Sequence, residues 1–283
     1  MPSELSVRVM SRADLDLAVE WAAAEGWNPG RRDAACFHVA DPSGFLMGVV
    51  DDEPVACISV MRYGDDYGFL GFYIVAPEWR GHGHGMAVWQ AGMRHLGNRT
   101  IGLDGVVAQQ ENYRRSGFML AHRNIRFGGR PQLGPFSGQA ELVDAARVGF
   151  DRLAAFDRCF FPAPRDAFLV RWLATPGHHA LAAMVNGEVA ALGVIRPCRR
   201  GRKVGPLYAA TPALATDLLA ALCGDGSRDE PIFLDVPETN LAAIRLAEAA
   251  GLTPEFETAR MYRGAAPDIA IDGLYGITSF ELG

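Results

Sequence analysis

The residues whose types and spacing best suit chemistry are Arg80-Gly81-His82-Gly83-His84-Gly85. Glycine at every second position removes the Cβ atoms from a turn, so its backbone N–H groups can converge on an anion. A helix opening at that turn adds the partial positive charge of its N-terminus, and Arg80 supplies a full one. The chemistry such a loop serves is the holding of phosphate, and several ligand classes compete for it. A dinucleotide fingerprint places its third glycine three residues after the second, whereas here the spacing is two and position 86 is Met; Asp104, about twenty residues on, would suit that reading. A Walker-type loop needs Gly-Lys-Ser/Thr, which the chain lacks. His82 and His84 could bind a metal on paper, but i, i+2 spacing without a nearby third ligand is poor for it, and no metal is expected.

A strand and a helix must position this loop. The run FLGFYIVAP, closed by Pro77, reads as a strand, and MAVWQAGMRHL carries a helical pattern. At 283 residues the chain has room for two domains, and 49% apolar with 21% charged residues describes an ordinary globular protein. No apolar run reaches the roughly 18 residues that span a bilayer, and the first residues carry no apolar signal core, so a cytoplasmic protein with no membrane partner is expected. Five isolated cysteines without a C-x-x-C pair point to reduced thiols. A net charge of −6 argues against nucleic acid as a partner and favours cationic or neutral substrates. Lys203 is the only lysine beside many arginines; with abundant Ala and Gly this points to a GC-rich bacterial genome.

The chain repeats itself at an offset of 134 residues. Val55-Ala56-Cys57-Ile58-Ser59-Val60-Met61-Arg62 aligns with Val189-Ala190-Ala191-Leu192-Gly193-Val194-Ile195-Arg196. The same offset carries Gly71 onto Gly205, Gly117-Phe118 onto Gly251-Leu252 and Arg126 onto Arg260, while Ile101–Asp104 resembles Ile232–Asp235 at a slightly shorter one. Two copies of one α/β unit, 1–130 and 138–283, are expected, joined by a Gly/Pro-rich linker over 128–135. Each copy should open on a short strand (Ser6–Met10; Gly138–Val143). Helical segments follow (Arg12–Glu25; Gly149–Phe156 and Arg165–Leu173), then a central sheet with helices on its faces. The second copy places Leu214, Ala215, Asp217 and Leu219 where the first has Arg80, Gly81, Gly83 and Gly85, so only the first should hold phosphate.

Val75-x-Pro77-x-x-Arg80-Gly81-x-Gly83-x-Gly85 resembles the Arg/Gln-x-x-Gly-x-Gly/Ala signature of the GNAT superfamily of N-acetyltransferases, and Tyr113-Arg114-Arg115-Ser116-Gly117-Phe118 resembles its Tyr-x-x-x-Gly-Phe element. The resemblance covers most of residues 5–130, and the second half looks like the C-terminal domain of bacterial tandem members. It implies an α/β (α+β) fold of two tandem GNAT-like domains, each a mixed, mostly antiparallel sheet flanked by helices. Acetyl-CoA is the implied co-substrate, its pyrophosphate on Arg80 and residues Gly81, His82, Gly83, His84 and Gly85. An amide near Ile74 or Val75 would polarise the thioester carbonyl, and Tyr113 would protonate the leaving thiolate, since a phenol with a pKa near ~10 stays protonated at neutral pH.

The second copy has Ala247 in place of Tyr113, so catalysis should be confined to the first. The Asn that the family often carries seven residues before the Tyr is Val106 here, and Asn240 in the second copy, so the helix before Tyr113 is expected to start late, with Asn112 or Gln109 taking over its contacts. No general base is identified: Asp104 is one candidate, and Asp65, Asp66 and Glu111 are weaker ones. The acceptor, a small-molecule primary amine, would meet segment 26–32, with Trp27 either a pocket wall or a loop anchor. A monomer or homodimer is expected. A non-catalytic sensor of CoA esters is the competing reading, and an acetyltransferase acting on proteins a third.

Overall fold

The structure, a computed structural model, describes residues 5–134, 138, 140–224 and 230–283. The first half runs β1 (Ser6–Val9), α1 (Arg12–Ala24), α2 (Asp33–Ala40), β2 (Phe45–Val50), β3 (Glu53–Tyr63), β4 (Tyr67–Val75), α3 (His84–Leu96), β5 (Thr100–Val106), α4 (Gln110–Arg115) and β6 (Met119–Gly129). The second repeats this order as β7 (Glu141–Asp144), α5 (Phe150–Asp157), α6 (Asp166–Ala174), β8 (His179–Val185), β9 (Glu188–Pro197), β10 (Arg202–Ala209), α7 (Pro212–Gly224), β11 (Ile232–Pro237), α8 (Leu241–Ala249) and β12 (Thr253–Arg263), then adds β13 (Leu274–Gly276). Local sequence sets several boundaries. Ser11 caps α1 in a reciprocal box with Asp14. The strand expected over Gly138–Val143 begins at Glu141, and Gln139 lies outside the described residues. Helix α2 lies outside the helical segments that the sequence pattern predicts.

Among the described residues the strands form one continuous sheet in the order β1-β2-β3-β4-β5-β12-β6-β11-β10-β9-β8-β7, with β13 beside β10. Only β4–β5 and β10–β11 pair in parallel; the other neighbours are antiparallel. The two repeats thus share a sheet, because they exchange their last strands. Strand β12 of the second half inserts between β5 and β6, and β6 of the first half pairs with β11. The exchange accounts for the glycines assigned to a linker: Gly128 and Gly129 end β6, and Pro135 lies outside the described residues. A Cβ on Gly128 would stand 2.5 Å from the Glu255 carboxylate and 2.8 Å from the Phe233 ring, so glycine there serves close strand packing.

The repeated landmarks are the bolts of this exchange. Arg126 on β6 donates to both oxygens of Asp235 on β11, at 2.6 and 2.8 Å. Its counterpart Arg260 on β12 donates to both oxygens of Asp104 on β5, at 2.8 and 2.6 Å. Bidentate, buried arginine–carboxylate pairs fix register as well as charge. A single apolar core also crosses the halves: Phe37 of α2 stacks on Trp172 of α6 with ring centroids 6.1 Å apart and meets Phe72 of β4 edge-on. No helix among the described residues is long and apolar enough to cross a membrane.

Candidate active site

Strands β4 and β5 pair from Tyr67–Thr100 to Leu70–Leu103 and then diverge, which opens a cleft between parallel strands. At the point of divergence β4 bulges, with Gly71 followed by Phe72 at φ 43°. The cause is tertiary: a Cβ on Gly71 would stand 2.2 Å from the backbone oxygen of Glu281. Beyond the bulge, Ala76 donates its N–H to Val55 on β3, so alternation along the strand turns the peptide of Val75 away from β3. Its carbonyl accepts from Arg80 Nε at 3.0 Å on the cleft side. The Ile74 amide faces β3 instead and meets the Cys57 thiol. Of the two residues expected to offer an amide to a thioester, Val75 is the one that points into the cleft.

The glycine loop stands at the mouth of the cleft. Gly81 and Gly83 have φ +83° and +84° with open space around the missing Cβ, so their requirement is conformational. Gly85 is sterically required, because a Cβ there would lie 2.8 Å from the Tyr73 hydroxyl and 3.0 Å from Val75. Gly83 caps α3, with no side-chain hydrogen bond to the first-turn amides. Arg80 is half exposed and paired with Glu25 at the end of α1. His82 and His84 stack on each other at 5.9 Å, and His84 also touches Trp79. Among the described residues no group of three His, Cys, Asp or Glu side chains could hold a metal ion.

A cavity of about 470 Å³ extends from the loop along β4 to Tyr113. Tyr113 is buried on α4, stacked on Trp89 at 5.9 Å. It can lie against β5 only because residue 105 is glycine, where a Cβ would stand 2.2 Å from its ring. Burial pushes its phenol well above the usual tyrosine value, with Tyr73 adding to the effect, so it stays protonated. Helix α4 does start late, at Gln110 after a single 3-10 turn, and Asn112 bonds Gln109 at its exposed surface. Asp104 lines the cavity, with both its oxygens accepting from Arg260 and one also from Asn124. Asp65 faces Arg99 at 3.7 Å and Glu111 faces Arg114 and Arg115, all at the surface.

The second half builds the far end of the cavity, through Phe256 and Thr258 of β12 and through Phe280 and Glu281. Trp27 joins them from the first half, its carbonyl accepting from Arg126 of β6 at 2.7 Å and from Lys203 of β10, in the second half, at 3.4 Å. Its neighbours bond the turn between β9 and β10, with Asn28 Oδ1 accepting from the Arg200 amide and the Arg31 amide donating to Pro197. Segment 26–32 therefore owes its shape to the other half. Nothing in the repeat pattern pointed to Phe280 or Glu281, because segment 274–283 has no counterpart in the first copy.

That segment packs into the second half. Strand β13 pairs with β10 in the opening between β10 and β11, and Ile277 donates to Asp235 on β11. The second cleft is thereby filled by the chain itself. Gly205 matches Gly71 here: a Cβ on it would stand 2.6 Å from the carbonyls of Ile277 and Thr278. Asn240, offered as the retained family Asn, caps α8 and donates to the carbonyls of Ile271, Asp272 and Leu274.

The acetyltransferase (GNAT) family profile matches residues 12–118, and an acetyltransferase (GNAT) domain profile matches residues 153–276. A protein of Pseudoalteromonas sp. (strain SANK 73390) named holothin acyltransferase is 34% identical over 270 residues, spanning 93% of this chain and 90% of its own. The chain belongs to the GNAT superfamily. It is a tandem GNAT protein and an acyl-CoA-dependent acyltransferase, in line with the resemblance of its loop and tyrosine motifs. Among solved structures, a Pyrococcus horikoshii protein superposes with TM-score 0.82 at 21% identity, covering 99% of this chain and 96% of that one. A tandem GNAT protein from the clavulanic acid biosynthesis pathway has TM-score 0.64 at 14% identity, covering 93% and 100%. Both likenesses are of fold.

Proposed function

We propose that the first half moves an acetyl group from acetyl-CoA to a primary amine of a small molecule. The observation that carries this reading is the single cavity joining the α3 N-terminus, the cleft-facing edge of β4 and the buried Tyr113. Amides at the start of α3, with Arg80, bind pyrophosphate. The free edge of β4 takes the pantetheine arm as a sheet edge takes a strand. The Val75 N–H polarises the thioester carbonyl, and Tyr113 donates a proton to the departing sulfur. A small acceptor is favoured because Trp27, Phe256 and Phe280 wall the far end of the cavity. The similar protein named holothin acyltransferase supports acyl transfer as the reaction.

The test is release of free CoA from acetyl-CoA against a panel of amines. Wild type should turn over at least one, and Tyr113→Phe should lose about 10²–10⁴-fold in kcat while still binding acetyl-CoA, the range for a lost general acid. Equal inertness of both with every amine, with acetyl-CoA still bound, would instead favour a sensor of CoA esters. Turnover of peptide amines alone would favour a protein-modifying enzyme.

A further inference from the structure

Three polar groups among those lining the cavity are buried without a hydrogen-bond partner: the Trp79 indole N–H, the Thr258 hydroxyl and the Glu281 carboxylate. Unsatisfied buried groups are rare, and each calls for an explanation, of which a water, an ion or a ligand that completes the bonding is one. Their chemistry divides along the cavity. Trp79, next to Arg80, offers a donor where an acceptor-rich phosphate ester binds. Thr258, opposite Val106 of β5, offers a hydroxyl that can donate or accept, and Glu281, rooted at the β4 bulge, offers an acceptor; both are brought by the second half.

Glu281 is 1% exposed, and neither of its carboxylate oxygens has a hydrogen-bond partner. Its own carbonyl lies against Gly71 at the β4 bulge, so its side chain is rooted where β4 parts from β5. The Ser59 hydroxyl and the Tyr63 phenol hold this backbone through the carbonyls of Glu281 and Leu282. The charged groups facing the carboxylate are Lys203 on β10, Arg126 on β6, Arg196 on β9 and Asp33 on α2. Arg196 is bonded to Asp33, and Arg126 to Asp235, which leaves Lys203 as the cation of the cluster without a carboxylate of its own. The only lysine of the chain is itself 1% exposed.

We propose that Glu281 is the proton acceptor for the attacking amine; the proposal rests on the acetyl-transfer reading above. The amine nitrogen forms a bond to the thioester carbonyl carbon as the carbon–sulfur bond breaks. The surplus proton on nitrogen passes to the Glu281 carboxylate, and Tyr113 supplies one to sulfur. Exchange with solvent after product release restores both groups. Burial raises the carboxyl above its ordinary value against the pull of Lys203, Arg126 and Arg196, which makes it a better base at neutral pH than an exposed glutamate. The exposed carboxylates Asp65 and Glu111 have neither the burial nor the place.

The test compares wild type, Glu281→Gln and Glu281→Asp by calorimetric acetyl-CoA binding and by the pH profile of kcat at saturating amine, using the amine that wild type turns over fastest. Glu281→Gln is expected to bind acetyl-CoA as wild type does, to lose at least about 10²-fold in kcat at neutral pH, and to lose the acidic limb of the profile. Glu281→Asp should keep that limb with an intermediate rate, and it carries the test if the Gln variant no longer binds acetyl-CoA. A Gln variant with wild-type kcat and limb, or an Asp variant with wild-type kcat, overturns the assignment and leaves acetyl transfer standing. Wild type that binds acetyl-CoA but acylates no amine overturns both.

Discussion

Replacing Gly105 by alanine should silence the enzyme without touching any group that does chemistry. The added Cβ would stand 2.2 Å from one Tyr113 ring carbon, 2.8 Å from a second and 3.0 Å from a third. Ordinary contact begins near 3.4 Å, so ring and strand must separate by about 1.2 Å. The strand cannot give, because β5 is held by β4 on one side and β12 on the other. The ring cannot give freely either, since Trp89 is stacked on it. Overpacking of this kind costs about 1–3 kcal/mol, read as a Tm lower by several degrees. A reacting group misplaced by about 1 Å loses rate by about 10²-fold. Amine-dependent CoA release should fall by that factor while acetyl-CoA binding persists. The decisive comparison is Gly105→Ala with Tyr113→Phe. If glycine acts only by seating the tyrosine, the double variant loses little more than the worse single one. Losses that multiply, or a Gly105→Ala enzyme with wild-type kcat, would refute the role of Gly105 as the seat of Tyr113.

Three further outcomes follow from the geometry. Glu25→Gln should tighten acetyl-CoA binding a few-fold, and less so at high salt, because it frees Arg80 and removes a carboxylate from the phosphate end; titration calorimetry at two ionic strengths checks this. Asp104→Asn and Asp235→Asn should destabilise the fold by similar amounts, about 3–5 kcal/mol, since each leaves a buried arginine uncompensated; chemical denaturation measures it, and a loss confined to Asp104 would contradict a paired structural role. Because burial raises Tyr113 above its ordinary value, its proton is retained as pH rises. The kcat profile should therefore show no basic limb from this group up to about pH 10, the unperturbed tyrosine value.

Much of the site was legible because its requirements are local. A turn needing positive φ at Gly81 and Gly83 cannot hide its glycines, and the tyrosine motif lies on one short helix beside them. The repeat was legible for the same reason, as each copy uses like residues at like places. The ion pair of Asp104, one of the candidate bases, is not legible in the sequence, because its partner Arg260 lies 156 residues away and only the strand exchange brings them together. Gly128 and Gly129 read as a linker in the sequence, because glycine chosen for tight strand contact looks the same there as glycine chosen for flexibility. Trp27 could be placed near the acceptor end, but the groups that hold its carbonyl belong to β6 and β10.

The sequence by itself determined that one unit occurs twice, and it singled out the glycine loop of one copy and Tyr113 as the residues proposed for phosphate and for the acid. These follow from backbone freedom, side-chain chemistry and internal comparison, none of which requires distant contacts. Only the tertiary structure decided that the two units share one sheet, that segment 274–283 fills the second cleft, and that the same segment carries Glu281 into the first. Strand pairing and burial are set by the competition among all segments for the same edges and the same core, and a one-dimensional pattern does not record who wins it.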